Sequence, residues 1–226
     1  MTEWFSSPLF GVVLSILAYA LGVWINKKLR TPIANPLLIA IILVIAFLKL
    51  TGIPLDAYQK GGDFISMFLA PATACLAVSI YSQRTLLKRN LFPVLAGSAV
   101  GSAASMGSVW LLCRLFRVDE SFTASLLPKS VTTPIAMGVA EQLGGVVPVT
   151  VAAVIFTGIL GAVLAPVLIK LFRVKDPVAA GLAIGACSHA VGTSKALELG
   201  EAQGAMSSIA IGVCGLTTVL FAMFLH

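Results

Sequence analysis

Leu127-Pro128-Lys129-Ser130-Val131-Thr132-Thr133-Pro134-Ile135-Ala136-Met137 lies inside an otherwise apolar run and decides how the chain folds. Pro128 and Pro134 forbid a continuous helix, because proline lacks the amide donor and clashes with the preceding turn. Thr132 and Thr133 can cap a new helix with Pro134 in its first turn. A helix that starts inside an apolar medium presents free N–H groups and a partial positive charge. Lys129 adds a full charge, while Ser130, Thr132 and Thr133 add hydroxyls. That combination suits a carboxylate or another small anion. The plainer alternative is that Lys129 snorkels to an interface and the hydroxyls bond nearby backbone.

The medium follows from composition. Of 226 residues, 58% are hydrophobic and 11% charged, against roughly a quarter charged in soluble domains. Mean hydropathy is +1.02. The chain is therefore expected to be an all-α polytopic membrane protein forming a single domain (1–226). Six runs of spanning character fall near 8–26, 34–51, 63–81, 91–113, 146–172 and 204–225. The second opens with Pro32 and Pro36 and is expected to start as extended chain. Pro71 is expected to kink the third. The net charge of +6 comes from clusters at segment ends, namely Lys27, Lys28 and Arg30, then Arg84, Lys88 and Arg89, then Lys170, Arg173 and Lys175. This is how cytoplasmic loops are marked, and without interleaved aromatics it is no nucleic-acid surface. Cys75, Cys113, Cys187 and Cys214 lie in apolar runs without metal spacing. Glu3 stands where a signal peptide carries a basic region, so the first helix is expected to be retained.

A second polar interruption spans 178–203 and holds Ser188, His189, Gly192, Thr193, Ser194, Lys195, Glu198 and Glu201. A shift of 60 positions aligns it with the first. Val131 meets Val191, Thr133 meets Thr193, Ala136 meets Ala196 and Glu141 meets Glu201. Gly144, Thr157, Leu160 and Ala162 then meet Gly204, Thr217, Leu220 and Ala222. The chain thus divides into N-terminal helices (1–117) and two repeat copies (123–172 and 183–226). Thr31-Pro32-Ile33-Ala34 also echoes Thr133-Pro134-Ile135-Ala136. With the N-terminus outside and both interruptions re-entrant, all three basic clusters fall inside. Arg114 and Arg117 fall outside, beside Asp119 and Glu120. A re-entrant hairpin plus one crossing makes an odd count, so the copies are expected to be inverted, as in many secondary transporters.

In the second copy Gly192 is expected to loosen the chain and Thr193 or Ser194 to cap the helical stretch after it. His189 can exchange protons near neutral pH, or serve as a satisfied structural donor. Lys195 and Glu198 stand three apart and can pair with each other or meet a ligand. Glu141 and Glu201 are candidates for coupling or for solvated hairpin mouths. One histidine in the motifs and the terminal His226 make no catalytic or metal constellation, so no enzyme, metal or cofactor is expected.

The first motif, together with Ser188-His189-Ala190-Val191-Gly192-Thr193, resembles the signature of the LrgB/CidB family. Asn35-Pro36-Leu37-Leu38 and Leu69-Ala70-Pro71-Ala72-Thr73-Ala74 resemble its earlier motifs, and Ser79 departs from the family pattern, which has proline there. The resemblance implies a multi-pass protein of the bacterial cell (inner) membrane. It also implies one of two activities. One is antiholin-like modulation of murein hydrolase activity and autolysis beside a small LrgA/CidA-type membrane protein. The other is carriage of glycolate, glycerate or pyruvate, as in plastid relatives. On the residues, a carrier of small monocarboxylates is the leading expectation, with proton coupling as an option. Its site would comprise Lys129, Ser130, Thr132, Thr133, Ser188, His189, Thr193, Ser194 and Lys195. Its partners would be the lipid bilayer, a small organic anion and the LrgA/CidA-type protein, with homo-oligomerisation a further option.

Overall fold

A computed structural model describes residues 7–29 and 34–225. Glu3, Arg30, residues 31–33 of the short proline repeat, and His226 lie outside the described residues. The described chain is all-helical: α1 (Pro8–Leu29), α2 (Pro36–Thr51), α3 (Leu55–Ser66), α4 (Leu69–Ser82), α5 (Arg84–Arg89), α6 (Leu91–Leu115), α7 (Glu120–Leu126), α8 (Thr133–Gln142), α9 (Val147–Leu171), α10 (Pro177–Leu199) and α11 (Glu201–Ala222). α1, α6, α9 and α11 are long and apolar enough to cross a bilayer, and α2 is a shorter apolar helix. The protein is a polytopic membrane protein.

Two compact units divide the chain, Met1–Thr73 and Ala74–His226. In the first, Asn35 caps α2 by accepting from the amides of Leu37 and Leu38, with Pro36 at the first helical position. The Asn26 amide donates to the Ala34 carbonyl at 2.7 Å and ties the end of α1 to the start of α2. Gly11 on α1 faces Gly61 on α3 so closely that a methyl at Gly11 would sit 2.9 Å from the Gly61 Cα.

The third expected span is not one helix. It divides at Met67 and Phe68 into α3 and α4. Asp56, Gln59, Lys60 and Asp63 make α3 too polar for a crossing. Pro71 stands third in α4, where an amide has no helical partner to lose, so it helps to start a helix rather than kink one. The Arg84–Lys88–Arg89 cluster forms its own short helix, α5.

The second unit is built on two hairpins. Asp119 caps α7 through the Ser121 amide. The chain leaves α7 at Leu126, runs through local turns (Lys129 N–H to Leu126 O, Val131 N–H to Pro128 O) and re-enters helix at Thr133. α8 ends at a glycine pair, with Gly144 at φ 75° and the Gly145 amide on the Ala140 carbonyl at 2.7 Å. The Val146 amide then donates to Ser125 Oγ at 2.6 Å. The segment thus returns beside the end of α7, and residues 127–132 form the turn between α7 and α8.

The second hairpin is α10. His189 has φ 39° and ψ −139°, which reverses the chain inside what local hydrogen bonding marks as one helix. In a straight helix Ile184 and Ala196 would lie about 18 Å apart. Here both belong to one buried cluster with Ala165, and a methyl on Gly192 would lie 3.1 Å from Ile184 Cγ2. Arm 190–199 therefore folds back on arm 177–188. α11 then runs alongside the first arm, with Gly181 against Met206 and Gly185 against Ala210. Both interruptions are re-entrant in form, as the sequence leads one to expect. The reversal differs in place, falling at His189 rather than at Gly192–Thr193. Thr193 lies inside the second arm, bonded to the His189 carbonyl, and caps nothing.

A further repeat frames the hairpins. Leu115-Phe116-Arg117-Val118 ends α6, and Leu171-Phe172-Arg173-Val174 ends α9. Arg117 and Arg173 both sit at φ 52°, and the valine amides close back to Cys113 and Ile169. Asp119 and Asp176 then cap the next hairpin in each case. The unit is therefore crossing helix, Leu-Phe-Arg-Val turn, aspartate cap, hairpin. α9, long and apolar enough to cross a bilayer, connects the two hairpins.

In a variant stripped of its four cysteines, single cysteines at Gln142 and Glu201 should react with a membrane-impermeant maleimide from opposite sides. A cysteine at Arg173 should react from the cytoplasm. Labelling of residues 142 and 201 from one side would reject the hairpin topology.

Candidate functional site

The hairpin tips meet at the middle of α9. Val131 of the first tip packs with Ala136 against Val154. His189 of the second places Nε2 2.9 Å from the Val154 carbonyl oxygen. A carbonyl only accepts, so Nε2 carries the hydrogen of this bond. The ring needs room on α9. A methyl on Gly158 would lie 2.7 Å from His189 Cε1 and Nε2, and one on Gly161 would lie 2.6 Å from Ser188 Cβ. Such contacts require something to shift.

Helix α6 flanks the crossing. Ser105 Oγ lies 2.8 Å from Ser130 Oγ, and Lys129 Nζ donates to Ser130 Oγ at 3.3 Å. Ser102 bonds Thr217 Oγ1 at 2.8 Å, and Gly101 abuts Ala186. No carboxylate among the described residues pairs with Lys129.

The residues expected at the site therefore separate into groups. Lys129, Ser130, Thr132, Ser188 and His189 gather at the crossing, with Thr133 half-buried at the first position of α8. Thr132 is the cap residue of α8 but makes no side-chain cap bond. It is only 5% exposed and its Oγ1 has no partner. Thr193 is buried and satisfied, since its hydroxyl donates to the His189 carbonyl at 2.9 Å and accepts from Ser207 at 2.6 Å. Ser194 is exposed and bonds Ala190 O. Lys195 and Glu198 form an ion pair at 2.6 Å. Glu141 and Glu201 are exposed at the hairpin mouths. Among the described residues no cluster of three or more His, Cys, Asp or Glu could hold a metal. Sequence reading passed over Ser105, Val154, Gly158, Gly161 and Ser207. The Gly-Ser pairs of α6 (Gly97-Ser98 and Gly101-Ser102) and the Gly158/Gly161 spacing are the signals that mark close helix packing there.

An all-helical chain with several apolar helices and two folded-back polar segments defines a class of polytopic membrane protein. The chain belongs to the LrgB-like family, whose model matches residues 15–226. It is similar to antiholin-like protein LrgB of Bacillus subtilis (strain 168), at 39% identity over 95% of this chain and 93% of that protein. The proteins of the same name from Bacillus mycoides (strain KBAB4) and Bacillus cereus (strain B4264) are 38% identical over 95% of this chain and 94% of theirs. No solved structure matches it.

Gly161→Ala should lower stability by about 1–3 kcal/mol, because Ser188 fills the space a methyl needs. Gly107→Ala, which meets nothing within 4 Å, should be neutral or slightly stabilising. Thermal unfolding in detergent compares them, and equal midpoints would reject the close approach of tip and α9.

Proposed function

We infer that this chain is an antiholin-like membrane protein of the LrgB family. It restrains murein hydrolase activity and autolysis together with a small LrgA/CidA-type membrane partner in the bacterial cell membrane. The observation that carries this is full-length similarity to relatives named antiholin-like protein LrgB, at 38–39% identity over 95% of the chain. This reverses the order reached from the residues alone, where the carrier reading led.

One observation favours the second reading, carriage of a small monocarboxylate. A broken segment puts the start of α8 and Lys129, which pairs with no carboxylate among the described residues, on one tip, as substrate sites of discontinuous helices do. A lesion-controlling protein has no evident need for either. Proton linkage through His189 belongs to this reading alone.

Two measurements on one protein separate them. Expression in a bacterium lacking its own LrgB should lower murein hydrolase activity in zymograms and slow autolysis. Unchanged autolysis would reject the antiholin-like role. Saturable uptake of labelled glycolate or pyruvate into proteoliposomes, lost in Lys129→Ala, would instead establish carriage.

A further inference from the structure

Two basic clusters that lie far apart in the sequence come together at one end of the second unit. α5 turns Leu86 and Leu87 onto the buried cluster of Val94, Met206 and Ile209. Val178, in the first turn of α10, packs on that same cluster. Arg84, Lys88 and Arg89 of α5 are thereby held at the end of the unit where α9 closes with Lys170, Arg173 and Lys175 and α10 begins. All six cations are exposed.

Little nearby neutralises them. None of the six is in an ion pair among the described residues. Of the acids on the same elements, Asp176 accepts from the Val178 amide to cap α10, and Glu198 is engaged by Lys195. Glu201 is left exposed at the hairpin mouth. Arg84 is fixed in place, with its guanidinium 4.6 Å from the centre of the Tyr81 ring and a bond of 3.3 Å to the Tyr81 carbonyl. At the far end of α6, by contrast, Arg114 and Arg117 stand beside Asp119 and Glu120.

Apolar side chains border the cations. Leu91 and Phe92 follow α5 directly, and Leu171 and Phe172 stand between Lys170 and Arg173. Phe92 is 82% exposed and Phe172 72%. A soluble anion would use the charge and leave these rings bare. A molecule with an anionic head and an apolar body uses both, and the ends of crossing helices lie where the headgroups of a bilayer are.

We propose that α5 and the α9–α10 turn form a binding site for an anionic phospholipid. Its phosphodiester oxygens accept from the cations, and its acyl chains lie along the apolar residues that border them. Arginine forks match phosphate oxygens, and cationic clusters at a membrane surface draw anionic lipids. A zwitterionic headgroup brings a cation of its own, which the uncompensated cluster repels. The site lies apart from the hairpin tips and holds whether the protein restrains autolysis or carries an anion.

The test uses full-length protein in mixed micelles, with dioleoylphosphatidylglycerol as probe and dioleoylphosphatidylcholine and inorganic phosphate as controls. Phosphatidylglycerol should raise the unfolding midpoint saturably and stay bound in native mass spectra, and the two controls should do neither. Lys88→Gln and Lys175→Gln each take one charge from one cluster and leave the others to orient the chain. Each should weaken phosphatidylglycerol binding about fivefold, and the two together about 25-fold. Lipid-free midpoints should stay at that of the parent, because both side chains are exposed. Arg114→Gln with Arg117→Gln removes the same charge at the other end of α6 and should leave binding within about twofold, since such attraction fades over a screening length. Stabilisation by phosphatidylcholine or phosphate equal to that by phosphatidylglycerol would overturn the proposal. So would unchanged affinity in either single lysine variant, or an equal loss in the Arg114/Arg117 variant.

Discussion

The hydrogen bond from His189 to the Val154 carbonyl is the contact on which the second unit turns. Interrupting a helix within the membrane exposes backbone groups that lipid cannot satisfy, so a break survives only where protein encloses it. His189 is in a backbone region that non-glycine residues rarely enter, at a cost of about 1–3 kcal/mol. Its ring offsets that strain by reaching an α9 carbonyl. The reach is possible because Gly158 and Gly161 leave α9 without side chains where Ser188 and His189 press against it. The same Val154 receives Val131 from the other tip. One residue of α9 thereby touches both hairpins.

This accounts for how much of the fold was legible in the sequence. The first break announces itself, because Pro128 and Pro134 exclude a helix whatever surrounds them. The second has no proline. Gly192 is the locally weakest point, and local reasoning places the break there. The chain reverses three residues earlier because the room for reversal is supplied by glycines on another helix, which no local rule detects. Pro71 misled in the opposite sense, since a proline near a helix start and one at its middle read alike until the boundary is known. The Leu-Phe-Arg-Val turns were in plain view but 56 residues apart, and a fixed shift of 60 hides them.

The candidate site divides along similar lines. Lys129, Ser130 and Thr132 are where a broken-helix reading puts them, because proline fixes the break and the residues beside it. Lys195 and Glu198 illustrate the reverse. Their spacing permits both a pair and a ligand contact, and the structure shows the pair. Thr193 matches Thr133 in the repeat yet is occupied by Ser207, a partner on α11 that the register alone does not reveal.

The two hairpins consequently differ in what it would cost to displace them. Withdrawing the second tip breaks the His189–Val154 bond and uncouples the buried Thr193–Ser207 pair. It also leaves the positive-φ backbone at His189 without its bond to α9. Withdrawing the first breaks the Ser105–Ser130 bond and the packing of Val131, while its turns at Leu126–Lys129 and Pro128–Val131 are local and travel with it. Thr132 loses nothing by moving, for it has no bond to lose. The side chains thus make the second tip the more firmly bonded of the two.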